Sequence, residues 1–208
     1  MSRPERIGIL GGSFDPVHIG HLALARAAQR ARGLDRVLFM PAAVQPLKRG
    51  GPRAPDAERL EMLRLAIARD PRFEISTIEL DRGGVSYLYD TLVELRCRHP
   101  AAELFFITGM DALNTLHAWR RVDEILRLAT FIIAARPGFP LPTPGQIRLP
   151  EPWPRRLLEN VVPCPALDIS SSAVRENVAQ NRPLRYLVPR AVAARIHGRG
   201  LYAPQEKS

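Results

Sequence analysis

The sequence predicts an α/β fold with a doubly wound parallel sheet, and three observations point to it. Short apolar runs of strand length alternate with longer runs in which apolar residues recur at helical spacing. The first apolar run, Arg6–Leu10, leads through a glycine pair into a helical segment, the order of a phosphate-binding βα unit. The chain has 208 residues, of which 46% are hydrophobic, enough to bury the core of one domain. We therefore predict a single domain, residues 1–208, whose segment 169–208 forms a small helical C-terminal part.

The first half of the chain contains three predicted strands and two connecting helices. The strands are Arg6–Leu10, Val37–Met40 and Phe73–Ile78. The first helix runs from His18 or Ile19 to Arg32, and Gly33 stops it because glycine readily takes the left-handed conformation of a helix C-terminus. Asp56 is predicted to cap the second helix. The apolar face of that helix consists of Leu60, Leu63 and Ile67.

The second half continues the alternation around a proline-rich segment. Ser86 is predicted to cap a helix through Leu95, and the serines at 170–172 to open a short one. The remaining strands are predicted at Leu104–Ile107, Phe131–Ala134 and Val161–Pro163. Further helical segments are predicted around Ala112–Leu116, Val122–Leu128 and Ala191–Ile196. Residues 137–154 include seven prolines, too many for regular structure, and are expected to form a surface excursion.

The charge balance favours anionic partners without identifying them. The net charge is +9, and arginine supplies nearly all of it because lysine occurs only at Lys48 and Lys207. The arginines are spread along the chain with acidic residues between them, which disfavours a nucleic-acid-binding stripe and is also typical of an ordinary solvated surface. Nucleotides and phosphate esters remain as anionic ligands, and no nucleic-acid partner is expected.

Cysteine and hydropathy patterns predict a soluble cytoplasmic protein. Cys97 and Cys164 are far apart, with neither a disulfide framework nor the paired spacing of a cysteine metal site. The longest apolar stretch, Leu128–Ala135, is too short to span a bilayer. No membrane partner is expected, and a homo-oligomer is neither predicted nor excluded.

The segment from Gly11 to His21 carries the strongest functional signal. Gly11 and Gly12 follow the first strand and allow a ligand to approach the backbone, while the next helix offers unpaired N–H groups and a positive dipole end to an anion. A glycine turn also occurs without any ligand. His18 and His21, three residues apart, lie on one face of that helix and can donate hydrogen bonds to phosphate oxygens.

Paired histidines are also compatible with a metal site. Neither glutamate nor cysteine stands at ligand spacing around His18 and His21, and the glycine loop favours phosphate contact. We therefore predict no metal-ligating residues. The other three histidines, His99, His117 and His197, are isolated along the chain.

The run His18-Ile19-Gly20-His21 resembles the signature of the nucleotidyltransferase superfamily, which also includes class I aminoacyl-tRNA synthetases. The synthetases need a longer chain and a lysine-rich loop, which this sequence with two lysines lacks. It has instead the segment 169–175, Ile-Ser-Ser-Ser-Ala-Val-Arg, similar to the Ile-Ser-Ser-Thr-x-x-Arg motif of small adenylyltransferases. A helix start with hydroxyls and Arg175 one turn later can bind a polyphosphate, although serine caps are also routine on surface helices.

Between these two motifs the chain resembles the bacterial nicotinate-mononucleotide adenylyltransferases over nearly its whole length. The matching segments are 59–63, 79–87, 90–92, 109–113, Trp119 and 136–138. Phosphopantetheine adenylyltransferases are similar only at the two ends. The sequence departs from the family pattern at Leu47, where histidine is common, and at Ser13, Leu88 and Ser172, where threonine is common.

The resemblance implies a Rossmann-like nucleotidyltransferase fold that transfers AMP from Mg-ATP to nicotinate mononucleotide, giving deamido-NAD and pyrophosphate in NAD biosynthesis. Mg²⁺ would be held mainly by the ATP phosphates. Alternatives left open are another phosphorylated acceptor, nicotinamide mononucleotide or phosphopantetheine, or a non-catalytic nucleotide- or nucleic-acid-binding module. The implied catalytic residues are His18, His21, Lys48 and Arg175. The implied ATP site also contains Gly11, Gly12, Ser13, Phe14, Gly109, Asp111, Arg136, Ser170 and Ser171.

The implied acceptor site consists of Asp15, Lys48, Ser86, Tyr87, Leu88 and Trp119. Backbone amides at 86–88 would bind the nicotinate carboxylate, because amide donors favour a carboxylate over a neutral carboxamide. Trp119 would stack on the pyridine ring, although a half-buried tryptophan is also common in ordinary packing.

Overall fold

The computed structural model describes residues 3–46, 51–135, 140–165 and 168–204. Within these ranges, six parallel strands form one sheet in the order β3-β2-β1-β4-β5-β6. The strands are β1 (Arg6–Gly12), β2 (Arg36–Pro41), β3 (Phe73–Ile75), β4 (Glu103–Gly109), β5 (Thr130–Ala135) and β6 (Val161–Pro163). The chain starts in the centre, builds one half outwards and then the other, which confirms the predicted doubly wound sheet.

Helices cover both faces of this sheet, so its central strands are buried along almost their whole length. The helices are α1 (Ile19–Arg32), α2 (Asp56–Ile67), α3 (Ile78–Arg82), α4 (Leu88–Arg98), α5 (Val122–Leu128), α6 (Trp153–Glu159), α7 (Ser171–Ala179) and α8 (Arg190–Gly198). Short 3₁₀ turns occur at Met110–Asn114, Leu116–Ala118 and Pro144–Gln146. One apolar cluster joins one face to α1, α2, α7 and α8, and a second joins the other face to the remaining helices.

The first crossover follows the sequence prediction closely. The helix α1 begins at Ile19 after His18 as N-cap and ends at Gly33, whose φ of 56° is left-handed. Leu22, Ala25 and Ala28 recur on its buried face. This geometry places the start of α1, with His18 and His21, directly beyond the carboxyl end of β1.

Two capping predictions were wrong. Pro55, not Asp56, is the N-cap of α2, and Asp56 is the first helical residue. The helix α4 begins at Leu88, and the hydroxyl of Ser86 accepts a hydrogen bond from the backbone N–H of Ala43 at 3.0 Å. Sequence position alone suits Ser86 for a cap, but the neighbouring loop supplies it with a tertiary donor.

The third strand is shorter than predicted. It pairs with β2 only from Phe73 to Ile75, because the chain then turns away from the edge of the sheet. Ile78, predicted as the strand end, instead begins α3 and is buried there at 4% exposure. An apolar residue beside a short edge strand can therefore reach the core from a helix.

The end of the proline-rich segment packs against the core, where a surface excursion was expected. Ile147 and Trp153 are buried, and the indole N–H of Trp153 donates to Asp123 at 2.9 Å. The helix α6 starts at Trp153, with Pro154 in its first turn, where proline costs no helical hydrogen bond. Residues 136–139 lie outside the described residues.

The C-terminal helices share the apolar cluster of α1 and α2. Val174 of α7 and Val192 and Ile196 of α8 are fully buried in it. Arg195 adds two hydrogen bonds to Glu58 of α2, at 2.7 and 3.0 Å. Among the residues described, no helix is long and apolar enough to cross a membrane.

Candidate active site

A cleft of about 790 Å³ opens at the carboxyl ends of β1, β4 and β5. The strand order reverses here, since β1 lies between β2 and β4, and doubly wound sheets bind ligands at such a point. Twelve residues predicted to bind ligands line the cleft: Gly11, Gly12, Ser13, Phe14, Asp15, His18, His21, Gly109, Asp111, Ser170, Ser171 and Arg175. The fold thus brings together three distant segments of sequence on one cavity.

Residues 11–18, which run from the end of β1 to the N-cap of α1, are called the phosphate loop below, after the ligand that the sequence predicts for them. Phe14 sits in it at a left-handed φ of 46° and is 1% exposed. A non-glycine residue rarely adopts this conformation, so the surrounding packing must hold it. The ring of Phe14 meets the ring of His21 edge-on, with centroids 4.9 Å apart. Burial of Phe14 therefore also supports His21.

His18 and His21 form a stacked pair at the start of α1. Their ring centroids are 3.6 Å apart, and the backbone N–H of His18 donates to Nδ1 of His21 at 3.2 Å. Because Nδ1 of His21 is the acceptor in this bond, the ring carries its hydrogen on Nε2. The pair thus presents a hydrogen-bond donor at the far side of the His21 ring.

His18 is the more buried member of the pair, at 7% exposure. Burial lowers the pKa of His18 to about 4, because a charged imidazolium is poorly solvated there. The ring is therefore neutral at pH 7 before an anion binds. Its Nδ1 is buried and has no hydrogen-bond partner among the described residues.

The start of α7 faces the phosphate loop across the cleft. The serines at 170–172 open this helix, as predicted, and Ser170 caps it by accepting the N–H of Ala173 at 3.1 Å. The hydroxyl of Ser171 donates to the carbonyl of Pro16 at 2.9 Å. Arg175 donates to the carbonyl of Asp15 at 2.6 Å and to the hydroxyl of Ser172 at 3.1 Å. The two motifs at opposite ends of the sequence are thus joined by direct hydrogen bonds.

The carboxylate of Asp15 is buried and faces protein donors. It accepts the N–H groups of Arg53 and Ala54, at 2.8 and 3.1 Å, and the hydroxyl of Tyr202, at 2.7 Å. The carboxylate oxygens of Asp15 are therefore already hydrogen-bonded within the protein. A substrate-binding role for Asp15 stays a prediction.

Two predicted site residues cannot be placed. Lys48 and Arg136 lie outside the described residues, as does the departure from the family pattern at Leu47. Their assigned roles stay predictions.

The two segments predicted to bind nicotinate lie against each other. The guanidinium of Arg120 lies 4.8 Å from the ring centroid of Tyr87 and 3.6 Å from the carboxylate of Asp90, so the segment after Trp119 packs on the first turn of α4. The ring of Trp119 meets Phe106 edge-on at 6.0 Å. Phe106 in turn lies beside Gly11: a Cβ added to Gly11 would be 3.7 Å from the Phe106 ring.

The amides at 86–88 are not equally accessible. The N–H of Ser86 donates to the carbonyl of Val44 at 2.9 Å, and the N–H of Tyr87 donates to Val85 at 3.1 Å. Leu88 begins α4, where N–H groups precede the helical hydrogen-bond ladder. The N–H groups of the first turn of α4 are therefore more accessible to a carboxylate than the N–H of Ser86, which already has an acceptor.

A buried carboxylate supports this segment from below. Glu79 is 6% exposed and accepts the hydroxyl of Thr91 at 2.8 Å, while Arg82 donates to Thr91 at 2.6 Å. Burial raises the pKa of Glu79, and the hydroxyls of Thr91 and Ser86 partly oppose that shift. The network fixes Ser86 between Glu79 and the cleft wall at Ala43.

Sequence reasoning missed three residues that organise the site. Arg59 is fully buried and donates to the carbonyl of Ser13 at 2.6 Å; a charged residue on the apolar face of α2 was its available signal. Gln45 accepts the hydroxyl of Ser13 at 3.0 Å. Tyr202 reaches Asp15 from near the C-terminus, and no local pattern marks it.

Comparison with known proteins places this chain in a family. The pattern of the cytidylyltransferase-like family matches residues 9–177. A probable nicotinate-nucleotide adenylyltransferase of Roseiflexus sp. (strain RS-1) is 47% identical over 196 residues, covering 94% of this chain and 97% of the relative. The chain belongs to the nicotinate-nucleotide adenylyltransferase family. A relative of the same name in Thermus thermophilus is 47% identical over 199 residues, covering 95% of this chain and 99% of the relative.

Solved structures share the fold of this adenylyltransferase family member. The nicotinic acid mononucleotide adenylyltransferase of Plasmodium falciparum, complexed with NaAD, matches with a TM-score of 0.74 at 18% identity, covering 95% of this chain and 97% of the other. A putative nicotinate-nucleotide adenylyltransferase of Vibrio parahaemolyticus matches with a TM-score of 0.69 at 16% identity, covering 97% of each chain. The family match confirms the resemblance predicted from the sequence.

Proposed function

We propose that the protein transfers AMP from Mg-ATP to nicotinate mononucleotide, giving deamido-NAD and pyrophosphate, a step of NAD biosynthesis. The observation that carries the proposal is the junction of the phosphate loop, the His18–His21 pair and the start of α7 on one cleft. Relatives that match nearly the whole chain are named for this activity. A nucleoside triphosphate suits the cleft because backbone amides, imidazoles and a guanidinium all bind phosphate oxygens.

The proposed reaction needs no covalent intermediate with the protein. A phosphate oxygen of the mononucleotide attacks the α-phosphorus of ATP, the bond to the bridging oxygen breaks, and pyrophosphate leaves with the electron pair. Catalysis then consists of aligning the two reactants and stabilising charge on the transferring phosphorus. We place the Nε2–H of His21 and the neutral ring of His18 on the phosphates, with Lys48 as a further cation.

Arg175 has two roles in this proposal. Its guanidinium already binds the carbonyl of Asp15 and the hydroxyl of Ser172. The buried Nε of Arg175 has no hydrogen-bond partner in the part of the chain that the structure describes. We propose that Arg175 holds α7 against the phosphate loop and contributes positive charge to the leaving pyrophosphate.

Nicotinate is proposed to bind between the first turn of α4 and Trp119. The packing of Arg120 on Tyr87 and Asp90 brings these two segments together. We place the carboxylate at the first turn of α4 near Leu88, and the pyridine ring on Trp119. The adenosine is proposed to lie at Gly109 and Asp111, beyond the carboxyl end of β4, with Arg136.

We propose that Mg²⁺ enters with ATP and is held mainly by its phosphates, where it neutralises their charge. Among the described residues, no three His, Cys, Asp or Glu side chains come together as potential ligands, and the carboxylate of Asp15 is filled by protein donors. We further propose a cytoplasmic location, as expected from the sequence. A homo-oligomer is compatible with the proposal.

The deciding measurement is pyrophosphate release from Mg-ATP with nicotinate mononucleotide, nicotinamide mononucleotide and phosphopantetheine in parallel. We expect release with nicotinate mononucleotide at the highest kcat/KM. Preference for phosphopantetheine would overturn the acceptor, and no release with any of the three would leave a nucleotide-binding module. As an internal control, His21→Ala should lower turnover by about two to four orders of magnitude.

A further inference from the structure

Tyr202 lies far from the phosphate loop in sequence but contacts it in the fold. Its hydroxyl donates to Oδ1 of Asp15 at 2.7 Å. The same carboxylate accepts two backbone N–H groups from residues 53 and 54, so it joins three separate parts of the chain. Arg53 and Asp15 both line the cleft. The bond from Tyr202 therefore ends on the wall of the proposed active site.

Two arginine side chains also hold the phosphate loop. Arg59 of α2 binds the carbonyl of Ser13, and Arg175 of α7 binds the carbonyl of Asp15. These two bonds and the carboxylate contacts fix the loop between α2 and α7. Tyr202 completes the set from the segment that follows α8.

The conformation of Tyr202 is one that the fold must maintain. Its φ is 65°, a left-handed value that is uncommon for a residue with a side chain. Its ring packs against the apolar cluster of α1, α2, α7 and α8. Burial and the neighbouring carboxylate of Asp15 raise the pKa of the Tyr202 hydroxyl, so it keeps its proton and remains a donor.

We propose that Tyr202 is a positioning residue of adenylyl transfer, which acts through Asp15 to fix the phosphate loop relative to residues 53–54 and α7. The inference rests on the proposed function. An error of about 1 Å in aligning two reactants can reduce a rate by a factor of about 100, so a contact behind the loop can affect turnover. The effect falls on alignment, hence on kcat more than on KM.

The test uses Tyr202→Phe, which removes the hydroxyl and retains the ring in the core. We expect kcat for pyrophosphate release to fall about tenfold, with KM for ATP within about twofold of wild type. The matched control is Tyr186→Phe, a tyrosine that is also at positive φ but 71% exposed; its kcat should equal that of wild type. A purely structural role would lower the midpoint of thermal unfolding of Tyr202→Phe and leave kcat at 25 °C unchanged, which would overturn the proposal.

Coupling to Asp15 is tested with Asp15→Asn and the double variant. If Tyr202 acts through Asp15, the double variant turns over no more slowly than Asp15→Asn alone, whereas multiplying effects would exclude this route. Hydrogen exchange of the Arg53 and Ala54 amides gives a readout independent of activity. It should accelerate in Tyr202→Phe, and unchanged exchange would contradict the proposed contact. If the wild-type protein had no activity but the Arg53 and Ala54 amides still exchanged faster in Tyr202→Phe than in wild type, only the proposed function would be rejected.

Discussion

The position of the His18 ring depends on the absence of a side chain at Gly20. A Cβ added to Gly20 would lie 3.0 Å from Nδ1 and 3.1 Å from Cε1 of His18, and atoms that close must give way. The ring cannot shift freely, because it stacks on His21 at 3.6 Å. Gly20 is thus a steric requirement of the histidine pair, beyond its place in the motif.

Gly20→Ala should therefore reduce turnover by displacing the pair. We expect kcat to fall at least about tenfold, since misplaced catalytic groups lose alignment, while the far-ultraviolet circular dichroism spectrum stays that of wild type. Gly198→Ala is the control, because an added Cβ there meets no described atom within 4 Å. Wild-type kcat in Gly20→Ala would show that the ring can relax without consequence.

Trp119 is a second single residue with a testable role, since its ring is proposed to stack on the pyridine ring of the mononucleotide. Trp119→Ala should raise KM for nicotinate mononucleotide about tenfold or more, because stacking of a base on an aromatic side chain contributes about 1–3 kcal/mol. KM for ATP should change little. Trp119→Phe keeps an aromatic face and should retain most of the affinity. An unchanged KM for the mononucleotide in Trp119→Ala would remove the stacking role.

At the scale of elements, α7 has a structural task, and the proposed function gives it an electrostatic task as well. Its cap, Ser170, lies in the cleft, and its first residue, Ser171, reaches the phosphate loop through a hydrogen bond. The positive end of the helix dipole lies at this start, where a polyphosphate is proposed to bind. Under this proposal, the stability of the helix and the affinity for the anion depend on the same few atoms.

Substitutions of Ser170 separate these two tasks. Ser170→Ala should lower the free energy of unfolding by about 1 kcal/mol through loss of the cap. Ser170→Asp restores a capping oxygen and should recover that stability, but its negative charge should raise KM for ATP. Chemical denaturation and initial rates, measured on both variants, test the separation. Equal KM values for ATP in wild type and Ser170→Asp would place the polyphosphate elsewhere.

At the scale of the whole molecule, two buried titratable groups give stability opposite dependences on pH. Burial lowers the pKa of His18 to about 4, below the value of about 6.5 for an unfolded chain. The neutral ring is thus compatible with folding, and the stability associated with it is lost as pH falls from about 6.5 towards 4. Burial raises the pKa of Glu79, so the folded protein takes up that proton first and gains relative stability as pH falls.

The difference in unfolding free energy between wild type and His18→Asn isolates the histidine, because Glu79 is the same in both proteins. That difference should decrease by on the order of 3 kcal/mol between pH 7 and pH 4, from the shift of the His18 pKa to about 4. Urea unfolding at a series of pH values measures it. A difference independent of pH would mean that His18 titrates normally in the folded protein.

Much of the site was predictable because its signals are local. Gly11, Gly12, His18 and His21 lie within eleven consecutive positions, and the start of α1 must bring them together once β1 and α1 form. The Ser170 cap was predictable for the same reason. The predicted capping of α4 by Ser86 was wrong, because the Ser86 hydroxyl instead accepts the backbone N–H of Ala43 in the loop after β2.

The sequence by itself determined the order of elements, the doubly wound sheet and the glycine-containing turn from β1 to α1, since hydrophobic periodicity and glycine chemistry act over a few residues. Only the tertiary structure decided which distant groups meet: Tyr202 and Arg175 at Asp15, and Arg120 on the first turn of α4. These contacts depend on how helices pack on the two faces of the sheet. Packing of this kind leaves no periodic trace in the sequence, because each contact involves residues far apart along the chain.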